Sequence, residues 1–181
     1  MQTAIFAGGC FWCTEAAFAR MQGVVSVEPG YIGGTLEHPD YRAVCRGDSG
    51  HAEAVRVRYD EAVIDYPTLL SVFFACHDPT TLNRQGHDVG PQYRSAVFTL
   101  DDAQAEAARE AIARLDKTGV FGAPIVTEVT AAGPFWPAEA EHHHYFEHHG
   151  DAPYCQAVIA PKLAKLARHF PDGRPADICT K

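Results

Sequence analysis

The stretch GGCFWCTEAAF, residues Gly8 to Phe18, sets two thiols and two large aromatics directly behind a glycine pair. A short apolar segment, Thr3–Ala7, precedes it, and Phe11, Ala16, Ala17, Phe18 and Met21 recur at helical spacing up to Gly23. A strand, two glycines and a helix leave the Cys10 thiol at or near the helix N-terminus, where free N–H groups and the macrodipole favour an anion. The thiolate is the reactive form of cysteine, and this placement can pull its pKa well below the reference of about 8.5. Cys13 stands three residues on, on nearly the same face, so a Cys10–Cys13 bridge is geometrically feasible. A packed corner would also use cysteines as small buried hydrophobes. Phe11 and Trp12 tilt the balance toward a reaction centre, because a Trp in the opening turn of a helix has little packing reason to be there.

Two polar stretches offer further chemistry. YRAVCRGDSGHAEAV holds Tyr41, His51 and Glu53 in a glycine-punctuated loop that leads into a strand. HDPTTLNRQGHDVGPQYRSAVF holds Asp78, Asp88, Gln92, Tyr93 and Arg94 in a long irregular connection. Long loops dense in titratable and aromatic side chains carry function more often than ordinary hydrophilic ones do. A third cluster, His142, His143, His144, His148 and His149, crowds one segment. A zinc or nickel site there would need converging ligands, preferably with thiolates or carboxylates. The segment reads instead as a solvated helix face with His142 packed, and no metal is expected.

The elements that must position these groups alternate along the chain. Thr3–Ala7, Val24–Val27, Glu53–Tyr59, Ser95–Leu100 and Ile125–Val129 read as strands, with a turn-rich stretch around Gly30, Gly33 and Gly34. Helices are expected from Phe11, over Tyr66–Cys76, Asp102–Lys117, about Glu139–His148 and Lys162–Phe170. Interleaved strands and helices predict a sheet covered by helices, an α+β fold. Glu15, one turn past Cys10, reads as a favourable negative charge on the first helical turn. Cys45 and Cys76 read as structural.

The chain has 181 residues, 46% of them hydrophobic, enough for one well-filled domain over 1–181 with a flexible tail from about residue 171. A net charge of −8 without a basic block argues against a nucleic-acid groove or an anionic membrane surface. No stretch approaches the roughly twenty apolar residues of a membrane span, and MQTAIFAGG has no basic residue before Arg20 and no signal-length apolar run. A cytoplasmic monomer is the expectation. Its six cysteines are then reduced, some of them catalytic.

The motifs GCFWCTEAAF, GYIGG, YRAVCRGDSGHAEAVRVRYD, HDPTTLNRQGHDVGPQYRSAVF and YCQAVIAPK closely resemble the A-type peptide methionine sulfoxide reductases, from Phe6 to about Phe170. The resemblance implies a two-layer sandwich with a ferredoxin-like core, a mixed sheet flanked by helices. It makes Cys10 the nucleophile, Phe11 and Trp12 the aromatic pair around the substrate methyl group, and Glu53 the acid that protonates the sulfoxide oxygen. Tyr41 and Tyr93 become hydroxyls that contact that oxygen, and Asp88 a carboxylate in the surrounding water network. It implies selectivity for the S epimer, free or in oxidised proteins and peptides, thioredoxin or a similar thiol as reductant, and no cofactor. Cys13 is the first candidate for the recycling thiol, Cys155 its rival, a relay of both is open, and Cys179 in the tail is a more remote choice. Pro91 stands where the family commonly has Thr, which bears on the backbone near Tyr93.

The chemistry stands without the resemblance. A sulfoxide is polar at oxygen and apolar at its methyl, so its site needs an aromatic pocket beside a hydrogen-bonding wall. The oxygen must gain a proton as it leaves, and a carboxylic acid kept protonated by burial can supply it. The product is methionine and a sulfenic acid, which a second thiol condenses to a disulfide. Two other readings are a general thiol–disulfide oxidoreductase built on Cys10-x-x-Cys13, which needs neither Glu53 nor the tyrosines, and a metal-binding domain built on the histidines.

Overall fold

A computed structural model describes residues 1–175. In chain order the main elements are β1 (Gln2–Gly8), α1 (Phe11–Phe18), β2 (Val24–Ile32), α2 (Tyr41–Cys45), β3 (Ala52–Tyr59) and α3 (Tyr66–Cys76). They continue with the two-residue strands β4 (Arg84–Gln85) and β5 (Asp88–Val89), then β6 (Ser95–Thr99), α4 (Asp102–Thr118), β7 (Glu128–Ala131) and β8 (Trp136–Pro137). The last are α5 (Tyr145–His149), a π-helical turn Cys155–Ile159 and α6 (Ala160–His169).

The sheet order is β7-β6-β1-β3-β2-β8, antiparallel except for the parallel pair β6–β7. Its inner four strands with α1 and α3 make the β-α-β-β-α-β unit of a ferredoxin-like core. In β3 the residues alternate. Glu53, Val55, Val57 and Tyr59 are all buried, and Val55, Val57 and Tyr59 belong to the core under the helices, while Arg58 is exposed. Glu53 thus stands on the core-facing row of a central strand. Ile5, Ala7, Ile32, Ala52, Ala54, Ala96 and Phe98 form a smaller cluster with Ala132 and Phe135.

Helix starts follow local chemistry. Asp40, Asp65 and Asp101 cap α2, α3 and α4, accepting from the N–H of Ala43, Thr68 and Gln104 at 2.7, 2.8 and 2.8 Å. Several expectations shift. β2 runs on through Gly30 to Ile32 where turns were expected, because Gly30 lets β8 cross close by: a Cβ there would lie 2.5 Å from the Trp136 carbonyl. β7 begins at Glu128, three residues after Ile125. The helix expected over Glu139–His148 is broken. A 3-10 turn covers Ala140–His142, and His144, at φ +52°, precedes the short α5. Pro171–Gly173 is another 3-10 turn, its Gly173 carbonyl accepting from Gln22 N–H at 3.0 Å, so the chain is tied down past the point where a tail was expected to begin. Cys179 lies outside the described residues.

Candidate active site

β1 delivers the chain to Gly8 and Gly9. Gly9 takes φ +89°, and a Cβ there would meet the Gln85 Cγ at 2.6 Å, so the turn into α1 needs glycine. Cys10 caps α1, its carbonyl accepting from the N–H of Cys13 at 3.1 Å. Both side chains are buried, and the two thiols are close enough for each to shift the other's pKa. Helix placement was expected to lower the Cys10 pKa, and here the expectation fails. Burial pushes the thiol well up, and the bond to Cys13 and the charge of Glu53 add to it, while the Trp12 N–H pulls the other way. Desolvation outweighs the end of an eight-residue helix. Cys13 moves down, lowered first by its bond from Cys10, with Lys162 and the Tyr154 hydroxyl helping against its own burial.

The acid sits opposite. Glu53 is 1% exposed, and its Oε2 accepts from the Phe11 backbone N–H at 3.0 Å. Burial raises its carboxyl to about 8 against that hydrogen bond, with the charges of Asp88 and Cys13 adding to the rise. At neutral pH Glu53 therefore carries a proton beside Cys10. Tyr41 opens α2 and Tyr93 closes the 3-10 turn Pro91–Tyr93. Both phenols are pushed up, first by burial and then by Glu53, so both remain donors. Pro91 fits as the first residue of that turn, and Tyr93 N–H donates to the Gly90 carbonyl at 3.0 Å.

Phe11 is fully buried, and its ring lies 5.7 Å from Tyr31 and 6.4 Å from Tyr41, forming the floor. Trp12 is half-buried and stacks on Tyr145 at 3.7 Å, with 6° between the rings. Its indole N–H donates to His142 Nδ1 at 3.3 Å, and His142 lies 4.4 Å from the Tyr41 ring. The apolar side and the hydrogen-bonding wall are thus joined through one imidazole. Glu139 braces them from behind, accepting from the Tyr31 hydroxyl and from the Tyr41 backbone N–H, each at 3.1 Å.

Cys10, Cys13, Phe11, Trp12, Tyr41, Glu53, Asp88 and Tyr93 therefore converge. Cys155 opens the π-helical turn, which packs on α1. It is fully buried, and its thiol is raised by burial and by the nearby Cys13. Tyr31, Glu139, His142, Tyr145 and Tyr154 complete the site; Tyr31 and Tyr154 lie within GYIGG and YCQAVIAPK but were given no role, and His142 was expected only to pack. Glu15 is not a solvent-facing charge on the first turn: it is buried and accepts from His144 N–H at 2.8 Å and Tyr145 N–H at 3.4 Å. Cys45 is exposed and bonds the Tyr41 hydroxyl, so it borders the site, whereas Cys76 donates to the Phe73 carbonyl at 3.2 Å within α3. His51 is structural, bonding Gly34 N–H and the Leu36 carbonyl at 3.1 and 2.7 Å.

Glu139, Glu141 and His142 bring one ligand atom each within 4.8 Å of one another. The donor set does not suit a metal. Because His142 Nδ1 accepts from Trp12, the neutral ring carries its proton on Nε2, the atom that faces both carboxylates.

Known proteins resemble this chain in sequence and fold. A family model described as peptide methionine sulfoxide reductase matches residues 2–173. A peptide methionine sulfoxide reductase of Chromobacterium violaceum is 59% identical, covering 94% of this chain and 97% of that one. That of Ralstonia nicotianae is 57% identical over 94% and 91%. Among solved structures, Mxr1 from Saccharomyces cerevisiae in reduced form aligns with a TM-score of 0.80 at 31% identity, over 85% of this chain and 88% of that one. Mxr1 in complex with Trx2 aligns at 0.56 and 25% identity, over 80% and 84%. With a family match over almost its whole length and close relatives aligned nearly end to end, the chain belongs to the peptide methionine sulfoxide reductases.

Proposed function

We propose that this protein reduces methionine S-sulfoxide, free and in oxidised proteins, with Cys10 as nucleophile and Glu53 as acid. The observation that carries this reading is a buried carboxyl raised to about 8 and held by the Phe11 N–H next to Cys10. A general thiol–disulfide oxidoreductase has no use for such an acid.

Trp12 and Phe11 receive the methyl group, and Tyr41 and Tyr93 donate to the sulfoxide oxygen. Glu53 gives that oxygen a proton as the Cys10 sulfur attacks. A neutral Glu53 also takes its charge away from the Cys10 sulfur, which lets the thiolate form. Methionine leaves, Cys10 carries the oxygen as sulfenic acid, and the Cys10 thiol proton restores Glu53, so the step balances. Cys13, one helical turn from Cys10, is the first candidate to displace the hydroxyl as water and form the disulfide, with Cys155 as rival. Thioredoxin or a similar dithiol then reopens it, as the Mxr1 complex with Trx2 suggests. Five free cysteines among the described residues suit a reducing cytoplasm, and scattered single exposed apolar residues suit a one-domain monomer. No helix among the described residues is long and apolar enough to cross a membrane.

Cys10→Ser tests the nucleophile. It should abolish methionine release from a sulfoxide peptide, and only the S epimer should serve the wild type. Residual turnover in the variant, or equal rates on both epimers, counts against the assignment.

A further inference from the structure

Tyr154 immediately precedes Cys155, yet its hydroxyl turns away from that thiol and into the site. It donates to Asp88 Oδ2 at 2.9 Å and stands 3.8 Å from the Cys13 Sγ, with its ring edge-on to Trp12 at 5.9 Å. One phenol therefore joins the Cys13 thiol to the Asp88 carboxyl, and no step of sulfoxide reduction uses it. Because its proton is directed at Asp88, its lone pairs face the sulfur.

We propose that Tyr154 is a catalytic residue of the recycling half-reaction, carrying the Cys13 thiol proton to Asp88 as Cys13 attacks the Cys10 sulfenic acid. The inference rests on Cys13 being the recycling thiol. As the Cys13 sulfur bonds to the Cys10 sulfur, the Cys10 S–O bond breaks and its electron pair leaves with oxygen. The Cys13 proton passes to the Tyr154 oxygen while the Tyr154 proton passes to Asp88; the departing hydroxide takes one proton from solvent to become water, and Asp88 returns one to solvent. A thiol and a sulfenic acid become a disulfide and water, with no further reactant. Asp88 thereby gains a second role, as the terminus of this relay.

The test is Tyr154→Phe in a single turnover without reductant, following methionine release and thiol loss separately. Loss of a proton carrier should slow disulfide formation by ~10²-fold more than methionine release. Disulfide formation should recover as pH rises and Cys13 ionises unaided, a rescue that a merely structural role would not produce. Equal slowing of both steps, or slow disulfide formation that pH does not restore, overturns the relay. Cys13→Ser separates the two ideas. If that variant still forms a Cys10 disulfide at the wild-type rate, the assignment of Cys13 falls and the relay with it. If it does not, while Tyr154→Phe forms the disulfide normally, Cys13 stands and Tyr154 has no part.

Discussion

A carboxyl that is 1% exposed and meets one backbone N–H cannot hold its charge at neutral pH, and Glu53 is in that position. Its folded value of about 8 lies far above the ordinary value of about 4.3, so the native state binds a proton that the unfolded chain releases. The stability this contributes is fully present below the ordinary value and is lost as pH rises through about 8. The same ionisation removes the proton donor, so sulfenic acid formation should slow as pH passes about 8. Glu53→Gln should cut the single-turnover rate by about 10²- to 10⁴-fold and leave Cys10 open to alkylation. It should also flatten the fall in urea stability between about pH 4.3 and about 8. A variant with a near-normal rate would show that Tyr41, Tyr93 or water delivers the proton unaided. The residue types around Glu53 were readable from GHAEAV and from the family motifs. The rise of the Cys10 thiol was not, because it comes from burial and from a charge on another strand.

At the scale of elements, α1 is tied to two other segments: Glu53 takes its first N–H, and its own Glu15 reaches the segment that opens α5. Glu15 is what holds His144 and Tyr145 after the left-handed break, and Tyr145 carries the stacking face for Trp12. Glu15→Ala leaves two backbone donors unpaired, each costing about 1–3 kcal/mol if it finds no water. We expect a loss of that order in urea unfolding and a raised KM as Trp12 loses its support, with the Cys10 thiol still present and reactive. A loss under about 0.5 kcal/mol, the range of ordinary surface changes, would mean that solvent already serves those N–H groups. Periodicity located α3 and α4 because a cap and an apolar row mark each of them. It failed over Glu139–His148, where the conformation follows from Glu15 and Trp12, residues more than a hundred positions away in sequence. Tyr31, Glu139 and Tyr154 escaped for the same reason: each acquires its role only when the sheet and α1 bring separate segments together.

For the whole molecule, the α+β order was legible in alternating strands and helices, and the ferredoxin-like strand order came with the family motifs. The route by which the enzyme is recycled depends on which thiols the fold lets meet. Cys10 and Cys13 are 7% and 5% exposed and stand one helical turn apart, whereas Cys155 is 0% exposed at the start of a π-helical turn on α1. The i, i+3 spacing suits a Cys10–Cys13 bridge, while Cys155 lies on a separate segment whose neighbour Tyr154 is hydrogen-bonded into the site. Cys13→Ser should therefore release about one methionine per enzyme in a single turnover, the yield of one nucleophile, and lose most of its steady-state activity with thioredoxin. Cys155→Ser should keep cycling. The reverse pattern would give the recycling role to Cys155 and require its turn to leave α1. Arrest of both variants after one turnover would mean a relay from Cys10 through Cys13 to Cys155, with the reductant meeting only the last disulfide. Mass spectrometry of the wild-type disulfide trapped before reductant is added distinguishes these three routes, since each leaves a different pair of cysteines joined.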